Sequence, residues 1–311
     1  MTSSLASDAT PKVGGKRAVS TAGAAVLSDY GRRWGLTVRE PGFETNSSWL
    51  QRVFWQGDAG CDEPGERLAA VLKIAKPQSD ERPGMALLDW WGGRGAVPVL
   101  KRDADAVLMV EAGWDGPRVV SLLDDPAAFS DQDAFAILID TACRLHAAGG
   151  GEGPEGLVPL TAMRAHVMTL PALGDPLFQA WLPFAQAFDC MGRAPLPLHG
   201  DIHHGNVLWL EGERAWVALD PKGLLGDWGY DFANLFFNPM EQPGRINDAG
   251  RMRGLADHVA AAVPPVGGRQ RVLDFAYFYG GMSTAWGWTE PWHDERRKQF
   301  KTLELVWREG R

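Results

Sequence analysis

The sequence predicts an α+β fold with two lobes, a small N-terminal lobe built on an antiparallel sheet and a larger, mainly helical C-terminal lobe. Two patterns predict this division. Short apolar runs separated by turns fill the first third of the chain, and apolar residues at helical spacing follow. The 311 residues are 45% hydrophobic, which is enough for two lobes. We place the lobes at residues 21–112 and 113–311. The tail over residues 1–20 should be disordered because it lacks periodicity.

The N-terminal lobe should begin with a helix and a pair of strands. We expect the helix over Ala22–Trp34. The apolar runs "SWLQRVFW" and "RLAAVLKIA" predict two strands, and the polar stretch "QGDAGCDEPGE" between them predicts a long hairpin turn.

A second helix and two more strands should complete this lobe. Pro83 can open a helix and Gly92–Gly93 can close it, because proline suits the first helical turn and glycine suits the end. The run "ADAVLMVEA" then predicts a strand. We place the hinge between the lobes near Glu111–Asp115.

The C-terminal lobe is dominated by helical patterns. The segment "DQDAFAILIDTACRLHA" has apolar residues at helical spacing behind Ser130 or Asp131 as the cap, and "DPLFQAWLPFAQAFDCM" predicts a second helix. Between these and the terminal helices, "NVLWLEGERAWVALD" predicts two short strands around a turn.

Charge and cysteine content exclude several classes of function. The net charge of −8 argues against nucleic acid or an anionic membrane as the main partner. The three cysteines are odd in number and lack a CxxC spacing, which argues against a disulfide framework or a structural zinc site. No stretch approaches the length of a membrane span, and the segment from Lys16 to Leu27 only faintly imitates a signal peptide. We therefore expect a cytoplasmic protein.

The segment "LHGDIHHGNVLWL", residues 198–210, places a carboxylate, an amide and imidazoles between apolar flanks. Asp201 and Asn206 are five residues apart, and Asp220 follows in "LDPKG". Phosphoryl transfer needs these groups: an aspartate that accepts a hydroxyl proton, and oxygen ligands that hold Mg²⁺. Lys73 lies on an apolar strand upstream, where a kinase lysine would bind phosphates. Each residue alone could be a turn residue, a turn cap or a surface side chain, but their joint order favours phosphoryl transfer.

These motifs resemble the aminoglycoside phosphotransferase superfamily, which has the protein-kinase-like bilobal fold. The resemblance is densest over residues 198–239, and "HHGN" together with "DPKG" is specific to the streptomycin 6-phosphotransferase and hydroxyurea phosphotransferase branch. It implies Mg²⁺- and ATP-dependent transfer of the γ-phosphate to a hydroxyl of a small molecule, of streptomycin or hydroxyurea type, and hence antibiotic resistance.

The resemblance also implies roles for the residues of the catalytic segment. Asp201 would be the base, and Asn206 and Asp220 would bind Mg²⁺. Asp231 would buttress the loop, which His199 and Gly200 would shape. Lys222 would contact phosphate or the loop carboxylates, and His203 and His204 would form hydrogen bonds within the loop.

The nucleotide side departs from the family pattern. The segment "GFETNSSW" carries Gly42 alone and Asn46, Ser47 and Ser48 at its turn, where the nucleotide loop of the family usually has Gly-Gly and Ser. Backbone and hydroxyl donors of this turn should hold phosphate. The acidic partner of Lys73 would be Glu81 or Asp89. The adenine should lie at the hinge near Val110, Glu111 and Ala112.

Candidate residues for the acceptor lie near the C-terminus, in "YFYGGMSTAWGWTEPWHDERR". Carboxylates and aromatic rings would suit a guanidinium or amine sugar through ion pairs and cation–π contacts. The candidates are Trp286, Trp288, Trp292, Glu290 and Asp294. The alternative, which the aromatic spacing favours, is that these tryptophans pack the last helices.

Three rival functions remain open. A kinase of another hydroxylated metabolite would carry the same motifs. A pseudokinase would bind nucleotide without transferring phosphate, and the atypical nucleotide turn is compatible with it. A metallophosphoesterase would need an Asp-x-His motif upstream of the loop to hold two metals, and no such motif occurs.

Overall fold

The computed structural model describes residues 17–57, 67–113, 117–125, 127–148 and 151–311. Seven strands form one antiparallel sheet in the N-terminal lobe, in the order β1-β3-β4-β5-β7-β6, with β2 paired to β4. They are β1 (Arg17–Ala18), β2 (Thr37–Val38), β3 (Phe43–Glu44), β4 (Ser48–Trp55), β5 (Leu68–Ala75), β6 (Val99–Arg102) and β7 (Ala106–Val110). Helix α1 (Thr21–Trp34) precedes β2, and α2 (Arg82–Trp91) connects β5 to β6. The predicted order of strand, strand, helix, strand and strand is found in β4, β5, α2, β6 and β7, whereas the two-residue strands β1, β2 and β3 were not predicted.

Local signals explain the two helices of this lobe. The Ser20 side chain caps α1 by accepting a hydrogen bond from the Gly23 N–H. Pro83 lies in the first turn of α2, and Gly92 ends that helix with a φ of 57°, which favours glycine. The prediction that residues 1–20 are disordered is wrong for residues 17–20, because β1 pairs with β3 and Ser20 caps α1. Residues 1–16 lie outside the described part.

The sheet buries both of its faces. Alternate residues of β5 point to opposite sides, so Leu72 and Ile74 pack on α1 with Leu27 and Tyr30. Lys73 points to the other side, where α2 and the C-terminal lobe lie. The predicted hairpin turn with Cys61 falls largely on residues 58–66, which lie outside the described residues.

The C-terminal lobe packs helices around two small sheets. The helices are α3 (Val119–Leu122), α4 (Asp131–Ala148), α5 (Leu160–Val167), α6 (Trp181–Ala187), α7 (Pro243–Ile246), α8 (Ala249–Ala262), α9 (Arg269–Trp286) and α10 (His293–Arg308). Short 3₁₀ helices occur at Pro171–Gly174, Pro176–Phe178 and Pro264–Val266, and a longer one at Trp228–Phe237. The strands are β8 (Val158–Pro159), β9 (Leu196–Leu198), β10 (Val207–Leu210), β11 (Ala215–Ala218) and β12 (Leu224–Gly226).

One helix prediction in this lobe is wrong in extent. The segment "DPLFQAWLPFAQAFDCM" forms the 3₁₀ helix Pro176–Phe178 and then α6, which covers only Trp181–Ala187. Pro183 has no N–H and is tolerated in the first turn of a helix, so α6 begins anew just before it. The helix predicted from Asp131 and the hairpin of β10 and β11 are confirmed.

The centre of the C-terminal lobe is α9, which is buried along most of its length. Its glycines allow aromatic rings to approach: a Cβ on Gly281 would lie 2.1 Å from the Trp181 ring. The antiparallel pair β9 and β12 places Leu198 opposite Leu224. This pairing brings the loop after β9 beside the segment before β12, and the candidate site forms there. None of the described helices has the length and apolarity needed to cross a bilayer.

Candidate active site

The loop between β9 and β10, residues 199–206 (the catalytic loop), is held from below by a buried carboxylate. Asp231 accepts hydrogen bonds from the Gly200 N–H at 2.6 Å and the His199 N–H at 3.1 Å. His146 of α4 donates from Nε2 to the same carboxylate at 2.8 Å. Asp231 therefore contacts the loop backbone, as expected for the buttressing role that the resemblance implies. His146 was missed, although a histidine on the apolar face of α4 was a visible signal.

His199 is locked in one neutral tautomer. Its Nε2 donates to the Leu219 carbonyl at 2.9 Å, and its Nδ1 accepts from the Asp201 N–H at 3.2 Å. Burial lowers the pKa of His199 and outweighs the opposing attraction of Asp231 and Asp201. The ring also stacks on Trp91 of α2, with 6.2 Å between ring centroids. The imidazole thus joins the loop to α2 without adding charge.

The two oxygens of the Asp201 carboxylate have different surroundings. Oδ1 accepts a hydrogen bond from Asn234 Nδ2 at 2.8 Å, whereas Oδ2 lies 3.8 Å from Lys222 Nζ. The side chain is 25% exposed. Burial lowers the pKa of Lys222, but attraction to Asp201 and Asp220 outweighs it and the pKa is raised. Lys222 therefore stays cationic beside Asp201.

Asn206 and Asp220 offer oxygen ligands on the same side of the loop. Asn206 Nδ2 donates to the Asp201 carbonyl at 3.0 Å, which leaves its amide oxygen for another partner. The Leu219 N–H donates to the Asn206 carbonyl at 2.9 Å and so ties the two segments together. Asp220 has a φ of 61°, a left-handed conformation that is strained for a residue other than glycine.

Lys73 joins the two lobes by binding two carboxylates. Its Nζ contacts Asp220 Oδ1 and Glu81 Oε2. Burial alone would raise the pKa of Asp220, but attraction to Lys73 lowers it to about 2. Burial would lower the pKa of Lys73, and the two carboxylates raise it instead. Lys73 and Asp220 are therefore both charged at neutral pH.

Glu81 is the acidic partner of Lys73, and Asp89 is not. Glu81 occupies the N-cap position that directly precedes α2, and its side chain forms no capping hydrogen bond. Asp89 pairs with Arg102 at 3.0 Å. Backbone packing presses α2 onto the segment after Asp220: a Cβ on Gly84 would lie 1.9 Å from the Pro221 carbonyl oxygen.

A cleft between the lobes has a cavity volume of about 80 Å³. Lys73 and Asp220 lie at one end of it, and Met109 of β7 lies in its wall with other apolar side chains. The lining residues are Thr45, Ser47, Leu50, Lys73, Leu88, Met109, Leu219 and Asp220. Lys73 and Asp220 therefore line a small cleft together with both hydroxyl and apolar side chains.

Only part of the predicted nucleotide turn lines this cleft. Thr45 and Ser47 do so, and Thr45 was missed although it directly precedes Asn46. Asn46 is exposed and its Oδ1 accepts a hydrogen bond from Arg17 at 2.9 Å. Ser48 is buried at the start of β4, and its hydroxyl has no partner within the described residues. The turn closes through Thr45, whose N–H donates to the Ser48 carbonyl at 2.9 Å.

At the hinge, the Glu111 carboxylate binds Arg52 of β4 and Arg39, which follows β2. The backbone N–H of Glu111 donates to the Ala69 carbonyl at 3.0 Å. Its side chain and N–H are thus already engaged. Ala112 packs against the main core. Residues 114–115, the end of the predicted hinge, lie outside the described part.

The two loop histidines after Asp201 differ. His203 accepts a hydrogen bond from the Gly205 N–H at 3.0 Å, as predicted. His204 is buried, and neither ring nitrogen has a hydrogen-bond partner among the residues described. The prediction that His204 forms loop hydrogen bonds is therefore wrong. Burial lowers its pKa well below the usual value, so it is an uncharged core residue.

Two of the candidate acceptor residues, Trp288 and Trp292, pack against other side chains of the protein. Trp288 packs on Phe178, and Arg297 lies over its ring at 4.7 Å. Arg296 lies over the Trp292 ring at 5.4 Å. Protein arginines therefore cover a face of both rings. The other three candidates lie at the surface or in the turn between α9 and α10: Trp286, Glu290 and Asp294.

The donor set at Asn206 and Asp220 fits Mg²⁺. An amide oxygen and a carboxylate are hard ligands, which this ion prefers. No cluster of three or more His, Cys, Asp or Glu side chains suited to a metal occurs in the described part of the chain. An ion at this position would therefore take its remaining ligands from phosphate or water, as in kinases.

Comparisons with known sequences identify relatives over most of the chain. A family model described as "Aminoglycoside/hydroxyurea antibiotic resistance kinase" matches residues 33–290. A streptomycin 3''-kinase of Klebsiella pneumoniae is 37% identical over 259 residues, which are 82% of this chain and 89% of the relative. A streptomycin 6-kinase of Streptomyces griseus is 31% identical over 59% of each chain. A hydroxyurea phosphotransferase of Kitasatospora aureofaciens is 28% identical over 68% of this chain and 60% of its own.

Solved structures share the fold at low identity. The aminoglycoside phosphotransferase APH(4)-Ia superposes with a TM-score of 0.56 at 14% identity, over 93% of this chain and 99% of its own. A choline kinase from Cryptosporidium parvum Iowa II gives a TM-score of 0.56 at 10% identity, over 92% and 96%. These matches confirm the predicted bilobal fold.

Proposed function

The chain belongs to the aminoglycoside/hydroxyurea antibiotic resistance kinase family and is a phosphotransferase that acts on a hydroxyl group, and from that premise we propose that it transfers the γ-phosphate of ATP to streptomycin or a related aminoglycoside. Hydroxyurea is the second candidate acceptor. The observation that carries the proposal is the convergence of Asp201, Asn206, Asp220 and Lys73 at one end of the cleft between the lobes.

The nucleotide side of the proposal rests on Lys73. Its Nζ is buried, charged and oriented by Glu81, so it can bind the phosphates of ATP in the cleft. Thr45 and Ser47 add hydroxyl and backbone groups from the turn above. Apolar side chains such as Leu50 and Met109 would contact the base. Asn206 and Asp220 would hold Mg²⁺, which supplies positive charge to the β- and γ-phosphates when bound.

The acceptor side of the proposal rests on Asp201. Its Oδ2 faces Lys222 and has no hydrogen bond from another described side chain. This oxygen can accept a hydrogen bond from the acceptor hydroxyl and then its proton. Lys222 can neutralise negative charge on the transferred phosphoryl group, because its ammonium lies 3.8 Å from Asp201 and is also attracted to Asp220. The catalysis is mainly orientation and charge stabilisation.

Two features were compatible with a pseudokinase, the atypical nucleotide turn and the choice of acidic partner for Lys73. Glu81 binds Lys73, so only the nucleotide turn still favours that alternative. A kinase of another hydroxylated metabolite differs from the proposal only in the acceptor. Since ATP is the phosphate donor, we place the reaction in the cytoplasm.

The test is release of ADP from ATP and Mg²⁺ in the presence of streptomycin, hydroxyurea or no acceptor. The wild-type protein should release ADP faster with an acceptor, and Asp201→Asn should lower that rate by about 10³-fold or more while ATP binding persists. Asp140→Asn is the matched control, because Asp140 is 69% exposed on α4 and pairs only with Arg144 among the described residues. Acceptor-stimulated turnover that survives in Asp201→Asn would refute the proposal.

A further inference from the structure

Among the residues that the structure describes, one donor forms a hydrogen bond with the Asp201 side chain, Asn234. We infer that Asn234 is a positioning residue for Asp201, and that Tyr279 and Asn238 fix the orientation of its amide. The inference rests on the proposed function, which gives Asp201 the role of base. Asn234 is 4% exposed and lies in the 3₁₀ helix Trp228–Phe237, below the catalytic loop.

The hydrogen bonds determine which way the Asn234 amide points. Its Oδ1 accepts from the Tyr279 hydroxyl at 2.6 Å and from Asn238 Nδ2 at 2.9 Å. Its Nδ2 donates to Asp201 Oδ1 at 2.8 Å. Turning the amide over would place an oxygen against a carboxylate and an NH₂ group against two donors. The amide nitrogen is therefore held toward Asp201.

Tyr279 remains a donor at every pH at which the protein would work. Burial raises the pKa of its phenol. A chain of hydrogen bonds thus runs from the buried centre of α9 through Asn234 to the carboxylate.

Because the segment Trp228–Phe237 is a 3₁₀ helix, two of its side chains can contact the catalytic loop. Asp231 and Asn234 are three residues apart, and a 3₁₀ helix has three residues per turn, so both face the loop. In an α-helix the second side chain would be rotated by about 60° from the first. Asp231 binds the loop backbone, and Asn234 binds the Asp201 side chain. The helix is ten residues long, which is unusual for a 3₁₀ helix, and both contacts with the catalytic loop lie within it.

The consequence is that the two Asp201 oxygens have separate tasks. Oδ1 is tied to Asn234, and Oδ2 points toward Lys222 and the acceptor. Loss of the Asn234 amide would free the carboxylate to rotate. The rate of transfer should then fall, whereas ATP binding should not change, because Lys73 and the turn at Thr45 lie on the other side of the cleft.

The variants that test this are Asn234→Ala and Tyr279→Phe, with Tyr277→Phe as the matched control. Tyr277 is on the same helix, and its hydroxyl lies 3.4 Å from Glu304, away from the loop. ADP release is measured with streptomycin and hydroxyurea and also without acceptor, so that basal hydrolysis is compared as well. We expect kcat to fall about 10- to 100-fold in Asn234→Ala, because small misplacements of a reacting group cost this much. Tyr279→Phe should lose about 3- to 10-fold, since Asn238 still binds the amide oxygen. The KM for ATP should stay within about twofold in both.

A double variant separates positioning from a general structural effect. In the Asp201→Asn background, Asn234→Ala should cause no further loss of turnover, because its partner carboxylate is gone. Near wild-type kcat in both Asn234→Ala and Tyr279→Phe, with turnover lost in Asp201→Asn, would overturn the inference and leave the proposed function standing. Full turnover in Asp201→Asn would instead remove the proposed function.

Discussion

Lys73 and Asp231 are buried polar residues, and each connects two segments of the site. Lys73 binds Glu81 of the small lobe and Asp220 of the large lobe. Asp231 accepts hydrogen bonds from the loop backbone and from His146. Removing one member of such a set is costly, because the remaining charge or donor stays buried without its partner. These two residues therefore contribute to folding as well as to the site.

Lys73→Met should destabilise the protein by about 3–5 kcal/mol, because Glu81 remains as a buried carboxylate without its cation. The measurement is the free energy of unfolding from urea titration at neutral pH. Lys298→Met is the control, since Lys298 is 66% exposed and its pair with Glu295 should matter little. An unchanged unfolding free energy in Lys73→Met would contradict the role of the buried pair.

Asp231→Asn should destabilise the protein by about 1–3 kcal/mol. The amide has a single acceptor oxygen, so either the loop N–H groups or His146 would lose a partner while buried. The change is measured by urea unfolding beside the exposed Asp140→Asn. Protection of the Gly200 amide from hydrogen exchange should fall as well, and unchanged protection would count against the contact.

Helix α2 is the element that carries the small lobe onto the site. Its first turn lies on the backbone of Pro221 and Gly223, so closely that neither Gly84 nor Gly223 has room for a Cβ. The same helix positions Glu81 at its start and stacks Trp91 on His199. A shift of α2 would therefore disturb the lysine pair and the catalytic loop together.

Gly84→Ala should lower turnover about 10-fold or more, because the new methyl group would meet the Pro221 carbonyl and displace α2. Gly31→Ala is a matched change in α1, where nothing lies within 4 Å of the new Cβ. That variant should keep its turnover and gain up to about 1 kcal/mol of stability, since alanine favours the helix more than glycine. ADP release measures turnover, and urea unfolding measures stability. Equal turnover in Gly84→Ala and Gly31→Ala would contradict the prediction.

The elements of the fold were predictable where a local signal marks them. Pro83 and Gly92 delimit α2, and the spacing of Asp201, Asn206 and Asp220 marks the catalytic segments. The break before α6 was missed because the apolar pattern continues through it. Asn234 carried no local signal of its role, and His146 on the apolar face of α4 indicated a buried polar group without identifying its partner. Their partners lie 33 and 85 residues away, and only packing brings them together. Thr45 was missed because the shape of the turn decides which side chain faces the cleft.

At the scale of the whole molecule, the larger of two hydrophobic clusters extends through both lobes, and the smaller lies between the sheet and α1. The main cluster includes Leu88 and Trp91 of the small lobe together with Leu138 and Val217 of the large lobe. Backbone hydrogen bonds add to it, since the Val97 N–H donates to the Ala218 carbonyl at 2.9 Å. The small lobe therefore cannot lose its structure without exposing apolar surface of the large lobe.

Unfolding should proceed in a single cooperative transition. In urea, far-UV circular dichroism and tryptophan fluorescence should give coincident midpoints, as in two-state unfolding. The exposed variant Asp140→Asn should behave in the same way. A separate transition at low urea, with loss of strand signal only, would show that the small lobe unfolds independently.

The glycine contact between α2 and the segment after Asp220 also limits how the protein can evolve. Two backbones in direct contact leave no side chain that mutation could exchange for a larger one, so variants at Gly84 and Gly223 should be removed by selection. Acceptor preference can drift only through positions that do not bear on this contact. A laboratory selection for resistance to a new antibiotic should therefore accumulate its substitutions in the outer helices of the large lobe and leave the two glycines unchanged.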